Sequence, residues 1–388
     1  MLDNVKNMVL DCGVPILDHM DKEHQEIINM IPDFDIVLIH TWNHPLLYDF
    51  LVRNELPPCR LIMWGHNSGL HAPNIYTKKI LTYPDLFVFT TPLSYNVKDV
   101  LNLSLEEKGN LYDIWSTGGV DKVKNIKPKE HKGFNIGYIG TVDYAKMNPD
   151  FLKMCSKIDV PNVKFIVVGG LKQREVEEEA KKLGINNMTF TGIVPDLNPY
   201  LEVFDVFGYP LAPYHYGTCD ITLQLAMASG IVPVVFNNPM EKSMVKNRET
   251  GIVVNNKDEY VKAIKKLHED INLRKKLSDN ARNYASETFS IKKLTIQWGR
   301  TFNKVLKFPK TIKKWDINKV EITPKDVFLE SLGHYGKAFV NDSTEEIKKL
   351  ANFNSWQTET KGSVHNYNSY FPNDPYLSKW SKLMKESL

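Results

Sequence analysis

Three groups of residues in this chain have the type and placement to handle an anion. The first lies in "YHYGTCDITLQLAMASGIVPVVFNNP", residues 214–239. Here a strand ends, Thr218 or Asp220 can cap a helix running to about Ser229, and Gly230 supplies the stop. The N–H groups of such a first turn, among them those of Gly217, Thr218, Cys219 and Asp220, have no partner within the helix and suit a phosphate. Ala226, Ala228 and Ser229 are small, so the helix can lie close on a sheet and aim its first turn into a cleft. A tightly packed helix with an ordinary cap is the competing reading. The second group is in "IGYIGTVDYAKMNPDFL", where Gly140, Thr141 and Lys146 follow a strand and the lysine would converge on the same anion. The third is His66, ending "CRLIMWGH" at a strand's carboxyl edge. His40 and His44 in "HTWNHP" suggest a metal pair, but Pro45 spoils a helical register and no third ligand follows. No D-x-D acidic box for a metal is evident either. Trp42, Trp64 and Tyr214 read as apolar walls at strand ends.

These residues need a scaffold, and the pattern of short apolar runs provides one. "DIVLIHTW" (35–42), "CRLIMWGH" (59–66) and "LFVFTT" (86–91) read as buried strands, and "LYDIWSTGG" (111–119) as a weaker fourth. "PLLYDFLVRNEL" and "PLSYNVKDVLNL" fit helices between them, with Pro in the first turn. The Lys-rich "DKVKNIKPKEHKG" (121–133) reads as a solvated connector. Alternation then restarts with "FNIGYIGT", "VKFIVVGG", "MTFTGIV" (closing on Val194), "VFGYPLA", "IVPVVF" and "TGIVV", separated by helices such as "REVEEEAKKLG". The class is α/β, with two doubly wound Rossmann-like domains facing a cleft. The expected boundaries are 1–132, 133–308, and an extension over 309–388 whose many aromatics argue against disorder.

The bulk numbers agree. With 388 residues the chain exceeds what one core supports. Its 42% hydrophobic and 24% charged residues are ordinary for a globular protein, and a net charge of +3 gives no reason to expect a nucleic-acid partner. No apolar run reaches about 18 residues, and "MLDNVKNMVLDCG" lacks a secretory pattern. Cys12, Cys59, Cys155 and Cys219 are scattered, which reads as reduced thiols in a cytoplasmic protein.

The order of pieces resembles the retaining glycosyltransferases of family 4, which have the two-domain GT-B fold. Gly140 and Lys146 stand at matching spacing, "LAMASGIVPVV" matches from Ala226 to Val235, and "GGVD" (118–121) echoes the family's domain junction. The resemblance covers about residues 35 to 308. It implies a sugar transferred from a nucleotide-sugar donor to a glycan or lipid-linked acceptor. It implies His66 and Lys146 as catalytic, and Gly140, Thr141, Val194, Tyr214, Gly217, Thr218, Cys219, Asp220 and Gln224 as donor-binding. No metal and no cofactor are expected, and peripheral membrane association is compatible with the sequence. The chain departs from the family in three places. Thr141 stands where the family carries Arg. Gly217 and Leu225 take the slots of its paired glutamates, and Leu225 is expected to face the ribose. The family's first strand and glycine-rich loop are not recognisable ahead of Asp35, so either the first domain is shortened or divergent or the chain begins late. A non-catalytic GT-B-shaped scaffold subunit, or another sugar-nucleotide enzyme such as an epimerase, stays open beside the transferase.

Overall fold

A computed structural model describes residues 3–18, 23–116, 118–217, 219–357 and 361–387. The strands are β1 (Val37–Thr41), β2 (Leu56–Cys59), β3 (Leu61–Gly65), β4 (Leu70–His71), β5 (Asn74–Ile75), β6 (Leu86–Phe89), β7 (Leu111–Asp113), β8 (Phe134–Ile139), β9 (Val163–Val168), β10 (Met188–Gly192), β11 (Val206–Tyr209), β12 (Val232–Phe236), β13 (Ile252–Val254) and β14 (Thr311–Lys313). They form a four-stranded sheet, order β1-β3-β6-β7, and a six-stranded sheet, order β10-β9-β8-β11-β12-β13. Every neighbouring pair in both sheets is parallel. Each apolar run in the sequence that was read as a strand is one. Both sheets are covered on both faces, as near-continuous Val/Ile/Leu/Phe strands require. The stretch "PLSYNVKDVLNL" is broken into a 3-10 turn, Pro92–Asn96, and a short helix, Lys98–Leu101, because Val97 is extended at ψ 135.

The first sheet is completed from the far end of the chain. Its side chains alternate with period 2. Leu61, Met63, Phe87 and Phe89 face one way, into a core shared with Trp315, Val327, Phe328, Phe339, Tyr367 and Trp380. Ile62, Trp64, Leu86 and Val88 face the other way, against Leu294, Trp298, Phe302 and Val305. The helix Ile291–Val305, grouped with the second sheet on sequence, therefore packs on the first. The extension is a helical layer over the opposite face, and its β14 pairs antiparallel with β2. Phe328, Tyr367 and Trp380 are each 0% exposed, and burial of one such side chain contributes about 1.5–3 kcal/mol.

The second sheet has its own core, from Phe134 and Tyr138 to Ala285 and Phe289. The helix Ile221–Ala228 lies in that core. Leu223, Ala226, Met227 and Ala228 are fully buried, and Gly230, at φ +78, takes the left-handed conformation that ends the helix. The connector, residues 121–133, holds no helix or strand. It is pinned where Arg282 donates to the carbonyls of Lys124 and Ile126 at 2.9 and 3.1 Å.

Candidate functional site

In parallel sheets the loops at the strands' carboxyl ends are where ligands are held. In this fold Gly140 and Thr141 follow β8 directly, Lys146 lies in the loop beyond, and residues 210–220 connect β11 to the helix Ile221–Ala228. The loop after β8 and the loop after β11 are tied together. Ala212 N–H donates to the Lys146 carbonyl at 2.8 Å, and Asn148 N–H to that of Pro210 at 2.9 Å. The Lys146 side chain is 12% exposed and that of Asp220 is 1% exposed, and Lys146 Nζ lies 2.9 Å from Asp220 Oδ1. Tyr209 O–H donates to the same carboxylate oxygen at 3.1 Å. Burial opposes both charges, yet each partner stabilises the other. The net effect holds Lys146 well above the usual lysine range and Asp220 below the usual carboxylate range.

A second ionic contact lies directly behind this pair. His215, 4% exposed, places Nε2 at 2.9 Å from Oε1 of the fully buried Glu241. Burial disfavours a proton on His215, and Glu241 outweighs it, so the imidazole is raised above its ordinary value. Its Nδ1 accepts from the Gly217 N–H at 2.9 Å. Oxygens and nitrogens of His215, Asp220 and Glu241 lie within 4.8 Å of one another. That spacing would suit a cation, but Lys146 and the imidazole N–H already face the two carboxylates.

The expected anion-binding turn is therefore changed in its details. The Gly217 N–H is committed to His215 rather than open to a ligand. Asp220 does precede the helix, at φ +32 and ψ 70, but its side chain makes no capping bond and faces Lys146 instead. The helical ladder starts with Leu223 and Gln224 N–H on the Asp220 carbonyl. Thr218 lies outside the described residues. Cys219 is 2% exposed, and its carbonyl accepts from Gln224 Nε2 at 2.6 Å. Gln224 is 0% exposed, and its Oε1 accepts from Ser116 Oγ at 2.8 Å. It therefore ties the helix to the loop after β7, and both its polar atoms are engaged inside the protein rather than at a ribose. Leu225, expected to face the ribose, is 4% exposed and packed in the second core.

Other expected residues are dispersed around this centre. Thr141 is half-buried, and its Oγ1 accepts from Tyr216 O–H at 3.2 Å. Val194 follows β10, the edge strand, and packs on the second core. Tyr214 is 45% exposed, edge-on to His71 at 5.3 Å and to Phe353 at 5.7 Å. It thus touches the β4–β5 hairpin and the extension at once. On the first sheet, His66 follows β3 and stacks on His40 at 5.0 Å, with His66 Nε2 and His40 Nδ1 2.8 Å apart. Burial first, then His40 and Lys361, lower the His66 imidazole to about 4, so it is neutral at pH 7. Trp42 stands edge-on to His66 at 5.5 Å, and Trp64, buried beside Trp298, lies tilted against His66 at 4.6 Å. His44 does not join His40. Its Nδ1 caps the helix Pro45–Arg53, and its Nε2 meets Tyr370 O–H at 3.1 Å.

The sequence reading missed four groups in this cluster. His215 and Tyr216 lie within the quoted "YHYG" and were legible as polar groups at a strand's carboxyl end. Glu241 had no local signal beyond a glutamate in an otherwise buried helix turn. Lys361, from the extension, places Nζ 4.5 Å from the Tyr216 ring centroid, and Lys146 Nζ lies 6.0 Å from the same centroid. Burial first, then Lys146, lower the Lys361 ammonium to about 8, with Asp220 opposing.

With this geometry in place, likeness to known proteins becomes informative. Residues 120–284 match the sequence family described as Glycosyl transferases group 1. No protein of curated function matches the chain. Among solved structures, Anabaena HepE in complex with UDP-glucose is similar with a TM-score of 0.62 and 15% identity, over 77% of this chain and 88% of that one. Sucrose-phosphate synthase from Thermosynechococcus elongatus is similar with a TM-score of 0.59 and 15% identity, over 75% and 80%. The pneumococcal O-GlcNAc transferase GtfA in complex with UDP and GlcNAc gives 0.54 and 14%, over 74% and 61%. Residues 120–284 are thus similar to the glycosyl transferases group 1 domain, and the α/β fold with its parallel sheets matches that of GT-B glycosyltransferase structures.

Proposed function

We propose that this protein is a glycosyltransferase that moves a hexose-type sugar from a nucleotide donor to a glycan or lipid-linked acceptor, with retention at the anomeric carbon. The observation that carries the reading is Lys146, a buried ammonium held charged between the carboxyl ends of β8 and β11 in the group 1 domain. Breaking the bond between the anomeric carbon and the diphosphate builds positive charge on the sugar ring and negative charge on the leaving group. A fixed cation under that leaving group lowers the barrier because it needs no reorganisation at the moment of reaction. In this reading the chain's own lysine does what a bound metal does elsewhere, and turnover survives EDTA. His66, neutral at pH 7, offers a hydrogen bond at the sugar from the first sheet. HepE and GtfA were solved with UDP-glucose and with UDP and GlcNAc, which supports a UDP-linked donor as the first to try. Retention, a glycan-building role and residence in the cytoplasm belong to the same proposal and rest on the resemblance to family 4. Among the described residues no helix is long and apolar enough to cross a membrane, so a lipid-linked acceptor would be met at the membrane surface.

A second reading is a GT-B-shaped subunit without activity. Gly217, Leu225 and Thr141, which replace charged residues of the resembled family, favour it. The test is a panel of UDP-, GDP- and ADP-linked sugars, read by melting temperature and by release of the nucleoside diphosphate. The proposal expects one base to stabilise the protein, by about 2.7 kcal/mol at a hundredfold excess over Kd, and to be turned over with retained configuration by proton NMR. No shift and no release with any of the three would leave the scaffold reading.

A further inference from the structure

The Lys146–Asp220 pair is internally neutral, so Lys146 alone leaves a bound diphosphate short of positive charge. The position that supplies arginine in the resembled family is Thr141 here, and Tyr216 O–H is bonded to it. Lys361 is a second ammonium at the Tyr216 ring, with Nζ 4.5 Å from its centroid. Among the described residues it has no ion-pair partner. Its placement is enforced by the backbone around it. Asn74 Nδ2, in β5, donates to the Lys361 carbonyl at 2.5 Å. Ser355 Oγ donates to the Ala72 carbonyl at 2.8 Å, and Gly362 N–H to Asn366 Oδ1 at 3.1 Å. Gly362 sits at φ +86, where a Cβ would come within 2.9 Å of Asn43 Cβ, so only glycine fits. Lys361 itself is left-handed at φ +41, a conformation unfavourable to a residue with a side chain, which persists where its surroundings over-determine it.

We infer that Lys361, carried by the C-terminal extension across the β4–β5 loop to Tyr216, is the second cation for the donor diphosphate and stands in for the arginine that Thr141 replaces. The inference rests on the proposed function. It makes the extension part of the donor site as well as the cover of the first sheet. Charged and titratable groups facing Lys361 are Lys146 and Asp220 from the second sheet's loops, Tyr216 beneath it, and His66 from the first sheet.

The test is UDP binding by calorimetry to the full chain and to Lys361→Met and Lys361→Arg, with melting curves for each. Lys361→Met should bind UDP roughly 10- to 100-fold more weakly, the scale of one lost charge-assisted contact, and Lys361→Arg should bind as the parent does. Because the free ammonium titrates near 8, parent affinity should fall about tenfold from pH 7 to pH 9, with proton uptake on binding, while Lys361→Arg shows neither effect. A folded Lys361→Met that binds UDP like the parent overturns the inference and leaves the proposed function standing. So does a pH dependence that survives in Lys361→Arg. If Lys361→Met does not fold, the comparison of the parent with Lys361→Arg across pH decides. Failure of the parent to bind UDP, GDP or ADP overturns both this inference and the function it rests on.

Discussion

The buried pair Lys146–Asp220 gives the sharpest expectation about this chain. At 2.9 Å and an effective dielectric of about 20, Coulomb's law gives roughly 6 kcal/mol of gross attraction, most of it offset by the cost of taking both groups out of water. Replacing Asp220 by Ala removes the attraction and leaves the desolvation of Lys146 in place. The expected loss is about 3–5 kcal/mol, the scale for orphaning one member of a buried pair. For a unit of roughly 150–250 residues that lowers Tm by roughly 6–20 °C. Removing both charges, as in Lys146→Met with Asp220→Leu, should recover all but about 1 kcal/mol, because no charge is then left unpaired. The pH window follows from the shifts. Asp220 is held below its ordinary value, so its contribution is present above about pH 4 and lost as pH falls through the depressed folded value. Lys146 is held above its ordinary value, so its contribution is complete below about pH 10 and lost only at higher pH. Between about pH 5 and 9 neither Asp220 nor Lys146 titrates, so the one slope expected there comes from His215, whose raised imidazole Asp220 helps to hold protonated: the penalty of Asp220→Ala should be largest below about pH 6.5 and ease as pH rises. Urea unfolding of the three proteins across that range is the assay. A penalty under about 1 kcal/mol, or a double variant no better than the single one, would mean the pair is solvated and is not the fixed charge assigned to it.

Three further outcomes are expected. Leu225→Glu should destabilise the protein by about 3 kcal/mol or more and leave nucleotide affinity no better, because it puts a carboxylate into the second core; tighter UDP binding by a folded variant would place the ribose there after all. His66→Ala should lower turnover by about 2–3 kcal/mol of barrier while Tm changes little, since His66 is half-buried beside His40 and its lost bond is one contact at the sugar; a large Tm drop with normal turnover would make it structural. Phe328→Ala should cost about 3–5 kcal/mol and expose the first sheet to proteolysis, read by limited digestion and urea titration; a variant that unfolds like the parent would deny the extension its role in that core.

Much of the fold was legible because every strand of the two parallel sheets lies in a short apolar run between helix and turn signals, and such runs have few other uses; the short pairs β2–β14 and β4–β5 carry no such run and were not legible. The cover of the first sheet was not legible. Helix Ile291–Val305 has an ordinary amphipathic pattern, and a pattern says that a face is buried, not which sheet buries it. The extension's aromatics did predict packing, and their target lay some 250 residues away in sequence. At the site, Lys146, His66 and the "YHYG" turn came from spacing and resemblance. Asp220 was expected to cap, because a carboxylate before a helix normally does. A cation 2.9 Å away outcompetes that role. Gln224 and Leu225 failed for a common reason: the helix that bears them sits inside the core, so its side chains meet protein on all sides. Lys361 lies within the weakly patterned "SWQTETKG", and only the folded chain brings it to Tyr216.

Lys146 and Lys361 are proposed to hold the diphosphate of a nucleotide sugar together. A crystal structure of the protein with UDP tests this most directly. The account predicts phosphate oxygens about 2.7–3.0 Å from both ammonium nitrogens, beside the Tyr216 ring and the loop after β8. A diphosphate bound away from both lysines, with the Lys146–Asp220 pair intact and Lys361 facing solvent, would contradict it.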